Sequence, residues 1–79
     1  MVLGGVHVED RLILELARIV PTNLGRKLTT AHGLRSQVIA LTADEREAVL
    51  DALERPPESL GDLREALLGE VQWRHRRRR

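Results

Sequence analysis

The sequence predicts an all-α fold, a small bundle of three to four short helices in a single domain. Apolar residues recur at helical spacing along several segments, and prolines interrupt the chain between them. A Thr-x-x-Glu pair begins the best-defined of these segments. We expect helices at about 9–20, 23–32, 43–55 and 60–73, a domain spanning residues 1–73, and a disordered basic tail over residues 74–79.

An apolar face marks the first helix, and Pro21 ends it. Leu14 and Ala17 widen the apolar arc to more than half of the circumference, which favours burial on two sides and therefore a dimer or a wrapped partner. Ahead of this helix, Val6 and Val8 could form a short N-terminal strand if a second copy paired with it, because an isolated strand is unstable. The face itself consists of Leu12, Ile13, Leu16, Ile19 and Val20.

The segment between Pro21 and Thr42 carries weaker signals. Thr22 or Asn23 can cap a short helix, which Gly33 would end in a left-handed conformation. Residues 34–41 are ambiguous between a helix and a strand because their apolar positions fit neither period. A helix or an extended linker is favoured there.

Two capped helices meet at a Pro-Pro corner. Thr42 with Glu45, and Ser59 with Asp62, have the spacing of helix N-terminal caps. The apolar side chains around the corner predict a leucine-rich surface that is too small to be a self-sufficient core and therefore binds a protein partner. Enclosure of these side chains within one copy would contradict that prediction. The predicted contact residues are Val49, Leu50, Leu53, Pro56, Pro57, Leu60, Leu63, Leu67 and Trp73.

Length and composition limit how this chain can be stabilised and where it works. A chain of 79 residues buries only about 60% of its unfolded surface, and the absence of cysteine excludes disulfides and thiolate metal sites. A homo-oligomer or an obligate complex with another protein is therefore the expected stabiliser. Charges break every apolar run well before about 18 residues and no secretion signal is evident, so we expect a cytoplasmic protein without membrane contact.

No group of residues predicts catalysis or metal binding. His7, His32 and His75 lie far apart, and none has a second ligand three or four residues away. Thr29, Thr30 and Ser36 lack an orienting residue and an oxyanion-stabilising loop. The acidic residues between 44 and 54 are spread around their helix, which is typical of a solvated face. We therefore expect no enzyme activity, no cofactor and no metal.

The net charge of +1 conceals a segregation of charge that suggests an alternative function. Residues 42–72 carry nine acidic and three basic groups, whereas residues 73–79 carry five basic groups and no acidic one. Such a tail can neutralise phosphates of DNA or RNA, or it can be a solvated end that aids solubility. The alternative is therefore a nucleic-acid-associated protein or transcriptional regulator. Its phosphate contacts would be Arg74, Arg76, Arg77, Arg78 and Arg79, with Arg26, Lys27 and Arg35.

The residues around the Pro-Pro corner carry a resemblance to a known family. The matching elements are Leu41-Thr42, Leu50, Ala52-Leu53-Glu54, Pro56-Pro57-Glu58, Leu63-Arg64 and Leu67. Residues 41–67 thereby resemble the C-terminal, toxin-neutralising segment of ribbon-helix-helix antitoxins that partner acetyltransferase toxins. The resemblance implies a segment that wraps a toxin and blocks its active site, and an N-terminal strand and two helices that dimerise and bind operator DNA. The chain departs from the family at Arg46 and Val49, where aromatic residues are usual, and at Leu60, where Asn is usual.

Overall fold

The computed structural model describes the backbone of residues 1–77 and the side chains of residues 1–70. Within this part of the chain, four α-helices, one short 3-10 helix and three short strands form the fold. In chain order the elements are β1 (Val2–Leu3), β2 (Val6–His7), α1 (Asp10–Ile19), α2 (Thr22–Gly33), β3 (Val38–Ile39), α3 (Ala43–Ala52), the 3-10 helix (Glu58–Leu60) and α4 (Leu63–Arg77).

The prediction of an all-α fold is wrong, because the chain contains a three-stranded mixed sheet. β1 is the central strand, with β2 antiparallel on one side and β3 parallel on the other. Gly4 and Gly5, at φ angles of +55° and +91°, make the turn between β1 and β2, a conformation that glycine adopts without steric cost. The strand expected at Val6 therefore pairs within its own chain and needs no second copy for its formation.

The four helices lie at the predicted places, but the ends of α3 and α4 differ from the predicted ones. α1 and α2 begin and end within one residue of the predicted positions. α3 ends at Ala52 instead of residue 55, and α4 begins at Leu63 instead of residue 60 because the 3-10 helix occupies the intervening turn. α4 continues to Arg77, beyond the predicted end at residue 73 and into the predicted tail. Residues 78–79 lie outside the described residues.

Three predicted caps are replaced by other arrangements. Pro21, and not Thr22 or Asn23, is the N-cap of α2, and it makes no side-chain bond. Gly33 is the last helical residue, and the left-handed residue that follows is Arg35, at a φ angle of +54°. The hydroxyl of Ser59 caps no helix and instead donates to a carboxylate oxygen of Glu15 in α1. That hydrogen bond fixes the Pro-Pro corner against the first helix.

One apolar core joins the sheet to all the helices. Leu3 and Ile39 are neighbours in the β1–β3 register and turn their side chains inward. No polar or charged residue among those described is buried. The core consists of Leu3, Val8, Ile13, Leu16, Val20, Leu24, Leu28, Ile39, Val49, Leu53, Leu60, Leu63 and Leu67. Helices from both halves of the chain thus share one interior.

The predicted capping box at the start of α3 is confirmed. The Thr42 hydroxyl oxygen accepts from the Glu45 N–H at 3.1 Å, and Glu45 Oε1 accepts from the Thr42 N–H at 2.9 Å. Lys27 of α2 joins this cap, since its Nζ lies 2.8 and 3.0 Å from the two Glu45 carboxylate oxygens and donates to the Ala40 carbonyl at 2.7 Å. The hydrogen bond from Lys27, followed by that from the Thr42 backbone, lowers the pKa of Glu45 below its ordinary value of 4.5.

We expect Glu45→Gln to lower the free energy of unfolding by about 0.5 to 1.5 kcal/mol at neutral pH, mainly through the weakened cap, because the Lys27 pair is partly exposed and screened. A carboxylate with a depressed folded pKa stabilises the fold above its ordinary pKa and loses that contribution as the pH falls through the folded value. The difference between wild type and variant should therefore shrink as the pH is lowered below 4.5.

Urea titrations of both proteins at several pH values measure this difference. Glu47→Gln, an exposed position on the same helix, is the matched control and should change stability little at any pH. A Glu45→Gln effect that stays constant down to strongly acidic pH would contradict the assignment.

Candidate protein-binding surface

The leucine-rich residues predicted to contact a partner lie mainly in the core of the chain itself. Burial of such a side chain contributes about 1.5 to 3 kcal/mol, so exposing five of them costs about 8 to 15 kcal/mol, comparable to the whole stability of a domain. A partner can reach them only if the domain opens. The five side chains, each exposed by 7% or less, are Val49, Leu53, Leu60, Leu63 and Leu67.

The other predicted contact residues have different surroundings. Leu50 is half-buried and packs against the core, and Pro56 is also half-buried. Pro57 is exposed. The side chain of Trp73 lies outside the described residues. Among the described residues, Leu50, Pro56 and Pro57 are therefore the only members of the predicted surface that are accessible in the folded domain.

The most exposed large apolar side chains of the described residues lie elsewhere, before and within β3. Leu34, the C-cap residue of α2, is 75% exposed, and Val38 of β3 is 65% exposed. The neighbouring Ile39 is only 3% exposed, because alternate side chains of a strand point to opposite faces of the sheet. Val38 therefore stands on the outer face of the sheet, away from the core.

β3 is also an open edge of this sheet. The Val2 N–H donates to the Gln37 carbonyl at 2.7 Å and the Gly4 N–H donates to the Ile39 carbonyl at 3.0 Å, so both of these carbonyls face β1. Because backbone groups alternate along a strand, the N–H and carbonyl of Val38 face the open side. Residues 36–42 themselves contain no charge, proline or glycine, although charges and prolines commonly protect edge strands from pairing with another chain. On either side of Val38, however, the Ser36 N–H donates to the Ala31 carbonyl and the Ala40 carbonyl accepts from Lys27, so the accessible part of the edge is Val38.

A cavity of about 640 Å³ adjoins this edge. The N-terminal ammonium group of Met1 lies 3.7 Å from the Asp10 Oδ1 atom at its border. His7 and His32 also line the cavity, but no group of three or more histidine or carboxylate side chains among the described residues is placed to hold a metal. The complete lining is Met1, Val2, His7, Asp10, His32, Gly33, Arg35, Ser36, Gln37 and Val38. The cavity thus extends the accessible surface beside Val38.

The basic residues predicted to contact nucleic acid lie in different places, as far as the structure describes their side chains. Lys27 is bound to Glu45 and to the Ala40 carbonyl. Arg26 lies with Arg18 in a groove of about 470 Å³ between α1 and α2, whereas Arg35 lines the larger cavity. The side chains of Arg74, Arg76, Arg77, Arg78 and Arg79 lie outside the described residues. Nucleic-acid binding therefore stays a prediction.

Sequence reasoning missed Val38 and Leu34, although one signal could have indicated them. Between Arg35 and Asp44, an uncharged and largely apolar segment follows a helix, and its apolar residues do not continue the helical spacing.

None of the helices in the described part of the chain has both the length and the apolar character that a membrane span requires. Comparison of this chain with protein-family models, curated proteins and solved structures found no match.

Proposed function

We propose that this chain is a non-enzymatic protein–protein interaction module whose binding surface is the β3 edge. The observation that supports the proposal is Val38, with its backbone groups turned to the open side and its side chain 65% exposed within an uncharged segment. An extended segment of a partner can add to such an edge as a further strand. Main-chain hydrogen bonds then provide affinity, and the cavity beside Val38 provides a pocket for a side chain.

An acetyltransferase-type toxin as the partner stays a prediction that rests on the resemblance of residues 41–67 alone. Five leucine and valine side chains of the predicted contact surface lie in the core. Binding through them would require α3 and α4 to leave the core, at a cost comparable to unfolding. Binding through β3 leaves the folded domain intact, so the edge is the contact that the geometry favours.

Affinity purification of the tagged full chain from the cells that produce it tests this function. We expect wild type to retain a specific protein partner, and an untagged copy of the chain counts as one. Val38→Lys should lose this partner, because a lysine at an edge strand opposes pairing. Leu14→Lys is the matched control, since Leu14 is an exposed apolar residue on α1 and its replacement should leave binding unchanged. Equal melting curves would show that all three proteins are folded.

Two results would contradict the proposal. One is a partner that Val38→Lys retains as well as wild type does. The other is the absence of any bound polypeptide, the untagged copy included, under conditions in which the domain is folded.

A further inference from the structure

We propose that the cavity beside Val38 binds a carboxylate side chain of the partner, so that the segment added at β3 is an acidic one. The inference rests on the proposed function and names the chemistry of its partner. The cavity offers such a side chain an apolar floor, a rim of hydrogen-bond donors and an arginine as the principal cation.

The floor of the cavity is the outer face of the sheet. Val2 is the register partner of His7 in β2 and of Val38 in β3, and all three residues line the cavity. Register partners lie side by side on one face of a sheet, so these three side chains form a row across the strands. Leu3 and Ile39, the next pair in the register, are buried on the opposite face. A partner residue that pairs with Val38 would therefore place its side chain on the outer face, beside this row.

The rim of the cavity carries hydrogen-bond donors that are not used within the described part of the chain. His32, Arg35, Ser36 and Gln37 lie at the end of α2 and in the segment that leads to β3. Their side chains make no hydrogen bond or ion pair with a described residue. Imidazole, guanidinium, hydroxyl and amide groups can all donate to a carboxylate, which only accepts. The rim therefore matches a carboxylate in hydrogen-bonding character.

The charges around the cavity also favour an anion. Asp10 is the one carboxylate among the described lining residues, and the Met1 ammonium group, 3.7 Å away, offsets its charge. Arg35 is exposed and has no ion pair with a described residue, so its charge is available to a ligand. His7 and His32 add positive charge when they are protonated.

The end of α2 does not cancel this preference. A helix carries partial negative charge on its last carbonyls, which would repel an anion. Here the Ala31 carbonyl accepts from the Ser36 N–H at 2.9 Å, and the His32 carbonyl accepts from the Arg35 N–H at 3.1 Å. These carbonyls are therefore occupied, and the N–H groups that occupy them belong to the segment that carries the cation.

Arg35 has a backbone conformation that the fold alone does not favour. Its φ angle is +54°, in the left-handed region where glycine is usual and a residue with a side chain is strained. Strained residues of this kind cluster at binding sites, where a contact with a ligand accounts for them. Strain, exposure and an unpaired charge coincide at Arg35, beside the open backbone groups of Val38. We therefore assign the principal contact with the carboxylate to Arg35.

Selection of a phage-displayed library of random linear peptides on the folded full chain tests this ligand chemistry. We expect the enriched peptides to share one aspartate or glutamate among residues that favour an extended conformation. Replacement of that acid by its amide should weaken binding about tenfold, as the loss of a charge-assisted hydrogen bond does.

Arg35→Gln should bind the same acidic peptides about tenfold more weakly than wild type. Arg26→Gln is the matched control, because it removes the same charge from an exposed arginine outside this cavity and should leave binding unchanged. Arg35→Gly should also lose binding and yet keep a melting temperature at least as high as that of wild type, since glycine adopts this φ angle without strain. Unfolding would then be excluded as the cause of the loss.

Val38→Pro distinguishes a failure of this inference from a failure of the proposed function. Proline removes the N–H that faces the open side, adds no charge, and is tolerated in an edge strand at such a position. Peptides that need this N–H but share no acidic residue, or that bind Arg35→Gln as tightly as wild type, overturn the inference and leave the proposed function standing. Acidic peptides that need Arg35 but bind Val38→Pro as tightly as wild type support the carboxylate site and contradict the pairing at β3. A library from which wild type enriches no peptide contradicts both.

Discussion

Replacing Leu67 with alanine is expected to lower the free energy of unfolding by about 2 to 5 kcal/mol, the range for truncating a fully buried leucine. Leu67 of α4 is 0% exposed, and its Cδ2 atom lies close to the β1–β2 turn at Gly4. Truncation would leave a cavity between α4 and the sheet, and the backbone on both sides can close it only in part. Urea denaturation followed by circular dichroism measures the change.

Leu34→Ala is the matched control because it removes the same atoms from a side chain that is 75% exposed. We expect it to change stability by no more than about 0.5 kcal/mol. The pair distinguishes a core role from a surface role for the α4 leucines. If Leu67→Ala costs as little as Leu34→Ala, then α4 does not contribute to a core and the leucine-rich binding surface regains its support.

Local signals predicted the helices well. The capping box of Thr42 and Glu45 involves residues three positions apart, and Pro21 ends α1 through its own backbone geometry. Such features depend on neighbours in the chain and are therefore visible in the sequence. Of the three predicted caps that do not form, the one at Ser59 fails because Glu15, distant in sequence, accepts its hydrogen bond instead.

The sheet depends on contacts that local patterns do not contain. Each strand has two residues, which is too short for an alternating pattern to be recognised. β3, in the middle of the chain, is held by β1 at the N-terminus, so residues 34–41 show no preference for helix or strand until that partner is in place. Without β1, the local sequence of these residues does not favour a strand over a helix.

The burial of the predicted contact residues escaped the sequence analysis for a related reason. A stripe of leucines at helical spacing indicates which side chains share a face, but it does not indicate what covers that face. In this chain Leu53 and Leu67 belong to a core that also contains residues of α1, α2 and the sheet, whereas the prediction assigned their burial to another protein. Counting apolar residues within one segment underestimated the core because Leu3 and Ile39 come from other segments.

Gly25→Ala is expected to lower the free energy of unfolding by about 1 to 3 kcal/mol, as overpacking does. A Cβ atom at position 25 would lie 2.6 Å from the carbonyl oxygen of Ala17, so α1 and α2 would have to move apart. The clash is with backbone, which cannot rotate away as a flexible side chain can. Separation of the helices would also loosen Leu24 and Leu28, which are buried on the same helix.

Gly69→Ala is the control that separates this clash from helix propensity. Alanine favours a helix over glycine by about 1 kcal/mol, and a Cβ at position 69 of α4 meets nothing within 4 Å. We expect thermal and urea unfolding to show a gain of about 0.5 to 1 kcal/mol for Gly69→Ala and a loss for Gly25→Ala. Opposite signs from the same chemical change can arise only from the surroundings of the two glycines. If both variants are stabilised equally, the close approach of α1 and α2 at Ala17 is refuted.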